Sequence, residues 1–107
     1  MKKIGFGNTG LQVSAIVQGC MRINRLKEKE AADFIEHAVE NGVNFFDHAD
    51  IYGGGSCEEI FGKTLRMTEI KREDIFLQSK CGIIPGVMFD FSKKHIIDSV
   101  DGSLKRL

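Results

Sequence analysis

Three times along this chain of 107 residues a short apolar run gives way to a stretch with helical spacing. "AIVQGCM" precedes "EKEAADFIEHAVENG", and "VNFFD" precedes "CEEIFGKTLR". "DIFLQSK" precedes a last segment that carries Ile96, Ile97, Val100, Leu104 and Leu107 on one face. In the first helical stretch Ala31, Phe34, Ile35, Ala38 and Val39 recur at the helical period. Strands that alternate with helices pair in parallel through right-handed crossovers, since each helix returns the chain to the same end of the sheet. The expected class is α/β with a parallel sheet.

Local signals fill in the connections. "KKIGFGNTGLQVS" reads as a hairpin over about residues 3–13, with Gly7-Asn8-Thr9-Gly10 as its turn and Ile4, Phe6, Leu11 and Val13 as strand residues. "AIVQGCM" reads as a short buried strand ending near Gly19. Gly42 stands where a helix C-terminal glycine belongs. Ser56 predicts an N-cap, with Glu59 completing a capping box. "CGIIPGVMFD", with the only proline, Pro85, reads as a loop. Ser92 predicts the cap of the last helix, whose apolar stripe calls for a buried face. Phe45, Phe46 and Phe76 read as core, and "RLKEKE" as the solvated start of the first helix. No repeat, low-complexity tract or linker interrupts this order. The last helix carries no stop signal, and three units leave two sheet edges that need covering. The chain therefore reads either as a small open sheet or as the opening of something larger.

Lys plus Arg equals Asp plus Glu, 15 against 15, and the charges are interspersed. No basic face is expected for nucleic acid or an anionic membrane. The three cysteines, Cys20, Cys57 and Cys81, are odd in number and form no CxxC, which argues against disulfides and structural zinc. Cys20 and Cys57 are expected near the rim of the sheet, all three cysteines as ordinary reduced thiols. Glycine and polar residues interrupt "MKKIGFGNTG" where a signal peptide needs an apolar region, and no apolar run is long enough to span a bilayer. The expectation is a soluble, cytoplasmic protein with no metal site.

In a parallel strand–helix array the carboxyl ends of the strands gather on one face. Asp47 ends the second strand, Tyr52, the chain's only tyrosine, lies in the loop after it, and Lys80 ends the third. Gly19, Cys20, Met21 and Arg22 end the first. An ammonium near a phenol favours the phenolate, and a carboxylate keeps the ammonium charged and oriented. Together they can form a proton donor for a carbonyl oxygen on which negative charge develops. The same residues also fit a plain reading, with Asp47 and Lys80 as a rim ion pair and Tyr52 packed in a loop.

The stretch "GVNFFDHADIYGGGSCEEIFG" resembles the signature of the aldo-keto reductase family. "REDIFLQSK" resembles the family's approach to its catalytic lysine, and "LQVSAIVQGCMRI" its first barrel strand. The resemblance runs from about Leu11 to the end of the chain. It implies the first three strand–helix units of an eight-stranded α/β (TIM) barrel, a fold of roughly 250 residues, with the hairpin closing its bottom. It also implies reduction of small aldehydes or ketones with NADPH. Tyr52 would be the proton donor, Lys80 the residue that lowers its pKa, and Asp47 the partner of that lysine. Gly19, Cys20, Met21 and Arg22, with Asp47, would lie at the nicotinamide end of the cofactor.

The family's fourth catalytic residue is a histidine after its fourth strand. None of His37, His48 and His95 takes that position, and many relatives carry a small residue where His48 stands. Later parts of the family's chain hold the adenosine end of NADPH. Residues 53–55, all glycine, match neither nucleotide-binding motif and read as a flexible substrate-side loop. These residues alone are therefore expected to be inactive. The alternative is a non-catalytic module that associates through its open sheet edges with a partner or with a copy of itself. Met88, Phe89 and Phe91 fit either an apolar substrate wall or simple packing.

Overall fold

The computed structural model describes all of residues 1–107. Lys3–Gly5 (β1) and Gln12–Ser14 (β2) form the expected hairpin, with Ile4 opposite Val13. Its strands are shorter than predicted: Phe6 and Leu11 lie past their ends, and Val13 alone of the four named residues is buried. The Asn44 side chain fastens the hairpin to the sheet, accepting the Ser14 N–H at 2.7 Å and donating to the Gln12 carbonyl at 3.3 Å. Phe6 adds an edge-on contact with Phe45, ring centroids 5.3 Å apart. The hairpin thus sits at the amino end of the next long strand.

Gln18–Gly19 (β3), Phe45–Asp47 (β4) and Phe76–Gln78 (β5) form a parallel sheet with β4 in the middle. The register sets Gly19, Asp47 and Gln78 in one row at the carboxyl edge. The first strand departs from expectation. It is two residues long, and Ile16 and Val17 are exposed rather than buried, because β3 has a neighbour on one flank only.

Glu28–Glu40 (α1) and Ser56–Leu65 (α2) cover one face of the sheet. Gly42, with φ of 85°, lets its own N–H reach the Val39 carbonyl and the Val43 N–H reach that of Ala38, which closes α1. Ile35, Val43, Phe46, Phe61, Leu65 and Ile75 make up most of the core between these helices and the sheet. Ser56 does not cap α2. Residues 53–55 all have positive φ, 59°, 64° and 99°, so the helix starts one residue early, with Gly55 as its cap. The Ser56 hydroxyl instead donates to the Gly53 carbonyl at 2.7 Å and accepts from Asn24 at 2.9 Å, and Glu59 is left exposed.

Two further expectations are corrected. The stretch after β5 contains a small ribbon, Ile83–Ile84 (β6) paired antiparallel with Met88–Phe89 (β7). Pro85 and Gly86, the latter with φ of 71°, turn it, and the Val87 N–H donates across the turn to the Ile84 carbonyl at 3.0 Å. Lys93–Arg106 (α3) is capped by Ser92 as predicted, but its stripe of Ile96, Ile97, Val100 and Leu104 is exposed. The helix meets the body chiefly through its carboxyl end, where it approaches α2.

That approach depends on Gly62. A Cβ there would lie 2.3 Å from the Arg106 carbonyl oxygen and 2.8 Å from that of Leu107. Alanine favours a helix by about 1 kcal/mol, but overpacking against backbone costs about 1–3 kcal/mol. Gly62→Ala is therefore expected to lower the midpoint of urea unfolding, with a net loss of about 1 kcal/mol. An unchanged or higher midpoint would show that the two helices can part freely.

Candidate active site

Side chains along β4 alternate between the two faces of the sheet. Phe46 and His48 turn toward α2, their rings 5.2 and 4.4 Å from that of Phe61. Asp47 turns the other way, at the carboxyl edge. On β5 the same alternation puts Gln78 and Lys80 on the Asp47 side and Ser79 on the α2 side. The Lys80 Nζ donates to both Asp47 carboxylate oxygens at 2.8 Å and to the His48 carbonyl at 2.6 Å. Gln78 donates to Asp47 Oδ1 at 2.7 Å. Tyr52, in a short helical turn over Tyr52–Gly55, places its ring centroid 5.1 Å from the Lys80 Nζ. Asp47, Tyr52 and Lys80 therefore meet at one mouth.

Partial burial pulls the Lys80 pKa down. The hydrogen bonds to Asp47, then contact with Tyr52 and the charges of both, outweigh it and leave the ammonium above its ordinary range. Lys80 is thus held charged by its surroundings. Gln78 is a site residue that sequence reading missed, although its place two residues before Lys80 on a strand was the available signal.

The first-strand candidates divide. Gly19 is exposed, and a Cβ there would meet nothing within 4 Å, while Met21 and Arg22 also face solvent. Cys20 and Cys57, expected near the rim, are buried in the core instead. Burial, then the nearby charges of Asp47 and Cys57, push the Cys20 thiol up to about 12, which makes it unreactive. Only the backbone of Cys20 reaches the rim, its N–H donating to the Asp47 carbonyl at 2.9 Å.

Behind the sheet lies a second polar cluster that the sequence did not reveal. Glu58, fully buried on α2, accepts from Ser79 at 2.6 Å, Ser103 at 2.9 Å and Arg106 at 2.7 Å. Burial pushes its carboxyl up, but these hydrogen bonds and the Arg106 charge win and hold it below its usual range. A lone Glu facing inward among Cys57, Phe61 and Leu65 was the only hint. His37 lies in α1 and His95 in α3, while His48 is buried against Phe61. No group of three or more His, Cys, Asp or Glu is placed to hold a metal ion, and no helix is long and apolar enough to cross a membrane.

A parallel strand–helix array thus brings a carboxylate, an ammonium and a phenol together at its carboxyl edge. A family model described as the aldo/keto reductase family matches residues 3–107, so the chain belongs to that family. It is 38% identical over 108 residues to an uncharacterized oxidoreductase, YcsN, of Bacillus subtilis, a match that covers 91% of this chain and 36% of the relative. It is 37% identical to L-galactose dehydrogenase of Arabidopsis thaliana, covering 94% of this chain and 33% of that one. The structure resembles the holo form of aldo-keto reductase AKR11C1 from Bacillus halodurans with a TM-score of 0.85 and 36% identity, over all of this chain and 36% of that one. The fold is accordingly the N-terminal part of a TIM barrel. The chain spans about a third of the length of the curated relatives it matches.

His48 yields a test of this packing. Neither ring nitrogen has a hydrogen-bond partner in the protein, and burial, against the raising effects of Glu58 and Asp47, lowers its pKa to about 4. The unfolded chain binds a proton near pH 6.5, so stability must fall as pH drops from about 6.5 toward 4. Urea melts across that range are expected to show a loss of about 2–3 kcal/mol that is much smaller in His48→Leu. An equal slope in the variant would place the titration elsewhere.

Proposed function

We propose that these residues supply the proton-donating part of an NADPH-dependent reductase acting on small aldehydes or ketones. The observation that carries this reading is the Lys80 ammonium, bonded to Asp47 and set beside the Tyr52 ring. A carbonyl oxygen presented to the Tyr52 hydroxyl becomes an alkoxide as the carbonyl carbon is reduced. Tyr52 gives that oxygen its proton, and the phenolate left behind is stabilised by Lys80. Asp47 keeps Lys80 charged and fixes its direction, and Gln78 fixes Asp47.

When bound, the nicotinamide supplies the hydride. The open space over Gly19, in the same row as Asp47, fits the nicotinamide end of such a cofactor, with exposed Met21 and Arg22 beside it. Cys20 contributes backbone only. Nothing in these residues has the form of a dinucleotide phosphate motif, so the cofactor's far end needs contacts from outside them.

The uncovered apolar stripe of α3 favours a second reading, in which these residues associate with a partner or a copy of themselves. A discrete oligomer in size-exclusion chromatography would support it.

Steady-state NADPH oxidation with an aromatic aldehyde tests the main proposal. The 107-residue chain alone is expected to show no turnover. A chain of the relatives' length that contains it is expected to turn over and to lose at least about 100-fold in kcat/KM with Tyr52→Phe. Full activity in that variant would remove Tyr52 from the role.

A further inference from the structure

Glu58 stands behind the site, yet its hydrogen bonds join the two segments that carry the proposed donor and its charge. It is fully buried in the first turn of α2, the helix that follows the Tyr52–Gly55 turn without a break. Its Oε1 accepts the Ser79 hydroxyl at 2.6 Å, and Ser79 is the residue before Lys80. The bond therefore runs between the helix that continues from Tyr52 and the stretch of chain that bears the ammonium. A hydroxyl bonded to a carboxylate is held roughly twice as strongly as one bonded to a neutral group.

Both ends of this strut are themselves fixed. On α3, Ser103 donates to Glu58 Oε1 at 2.9 Å and Arg106 to Oε2 at 2.7 Å, which keeps the carboxylate facing Ser79. The Ser56 hydroxyl donates to the Gly53 carbonyl at 2.7 Å and fastens the Tyr52 turn to α2. The Asp50 N–H donates to the Lys80 carbonyl at 3.0 Å and pins the lysine main chain. Alternation then does the rest: with Ser79 turned to Glu58, Lys80 must point to the Asp47 side. In a proton transfer a displacement of about 1 Å can cost about 100-fold in rate.

We infer that Glu58 is a positioning residue for the proposed reduction, acting through Ser79 to set the distance between Lys80 and Tyr52. This rests on Tyr52 being the proton donor and Lys80 its charge. Ser103 and Arg106 hold Glu58, so the carboxyl end of α3 supports the site without touching a reacting atom.

Ser79→Ala removes one hydroxyl and leaves Glu58 with its two partners on α3. In a chain of the relatives' length that contains these residues, NADPH oxidation with an aromatic aldehyde is the readout. The alanine variant is expected to show kcat about tenfold lower, with KM within about twofold of the parent. Ser79→Thr keeps the hydroxyl and is expected to retain about half of kcat or more. Glu58→Gln, alone or combined with Ser79→Ala, is expected to match the alanine variant, and the serine variants decide the matter if it fails to fold. In a Lys80→Met background, Ser79→Ala is expected to change kcat by less than about twofold, since no ammonium remains to be aimed. Unchanged kcat in Ser79→Ala, a threonine variant as slow as the alanine one, or additive losses from Glu58→Gln and Ser79→Ala would overturn the inference. Full activity in Lys80→Met would end it together with the donor reading, whereas a loss in Ser79→Ala that persists without Lys80 would end this inference alone.

Discussion

The Lys80 ammonium bonds three oxygens, two on Asp47 and one on the His48 backbone, and so ties the chain leaving β5 to the end of β4. The parallel register makes that possible by setting Asp47 and Gln78 side by side, with Lys80 one further step along the same face. Its side chain is 45% exposed, so the pair adds little to stability in water. What it does is fix a positive charge at a defined point beside the only phenol in the chain. The mouth of the site is arranged around that charge.

The other face of the sheet is arranged in the opposite way. There Phe46, His48 and Phe61 exclude water, and Glu58 is ionised only because Ser79, Ser103 and Arg106 surround it. Leaving that carboxylate buried without its partners would cost several kcal/mol, on the order of 3–5. This cluster anchors the carboxyl end of α3, and Gly62 lets the two helices come close enough to form it. Alternation along two short strands thus separates a dry, structural face from an open, chemical one.

Features that depend on neighbouring residues were legible in the sequence. Gly42 closes α1 and Ser92 caps α3 through contacts within a few residues, and the strand–helix alternation dictated the parallel sheet. The Asp47, Tyr52 and Lys80 cluster was legible because each ends or follows a strand, and the family resemblance assigned it chemistry. Long-range partnerships were not legible: Glu58 and Arg106 are 48 residues apart. The stripe on α3 declares an apolar face but not whether anything covers it, and two-residue strands such as β6 and β7 have no period to read. Ser56 misled because three successive glycines with positive φ moved the helix start by one residue.

The central claim is that Lys80 acts electrostatically on Tyr52. Against partial burial, Lys80 is held above its ordinary range by Asp47 and Tyr52 and so keeps its charge. In a chain of the relatives' length that contains these residues, Lys80→Met is expected to lower kcat/KM for an aromatic aldehyde by at least about 100-fold, while Lys80→Arg, which keeps the charge, retains more of it. Activity in Lys80→Met within about twofold of the parent would mean that ammonium and phenol are neighbours without a shared role, and the account would fail.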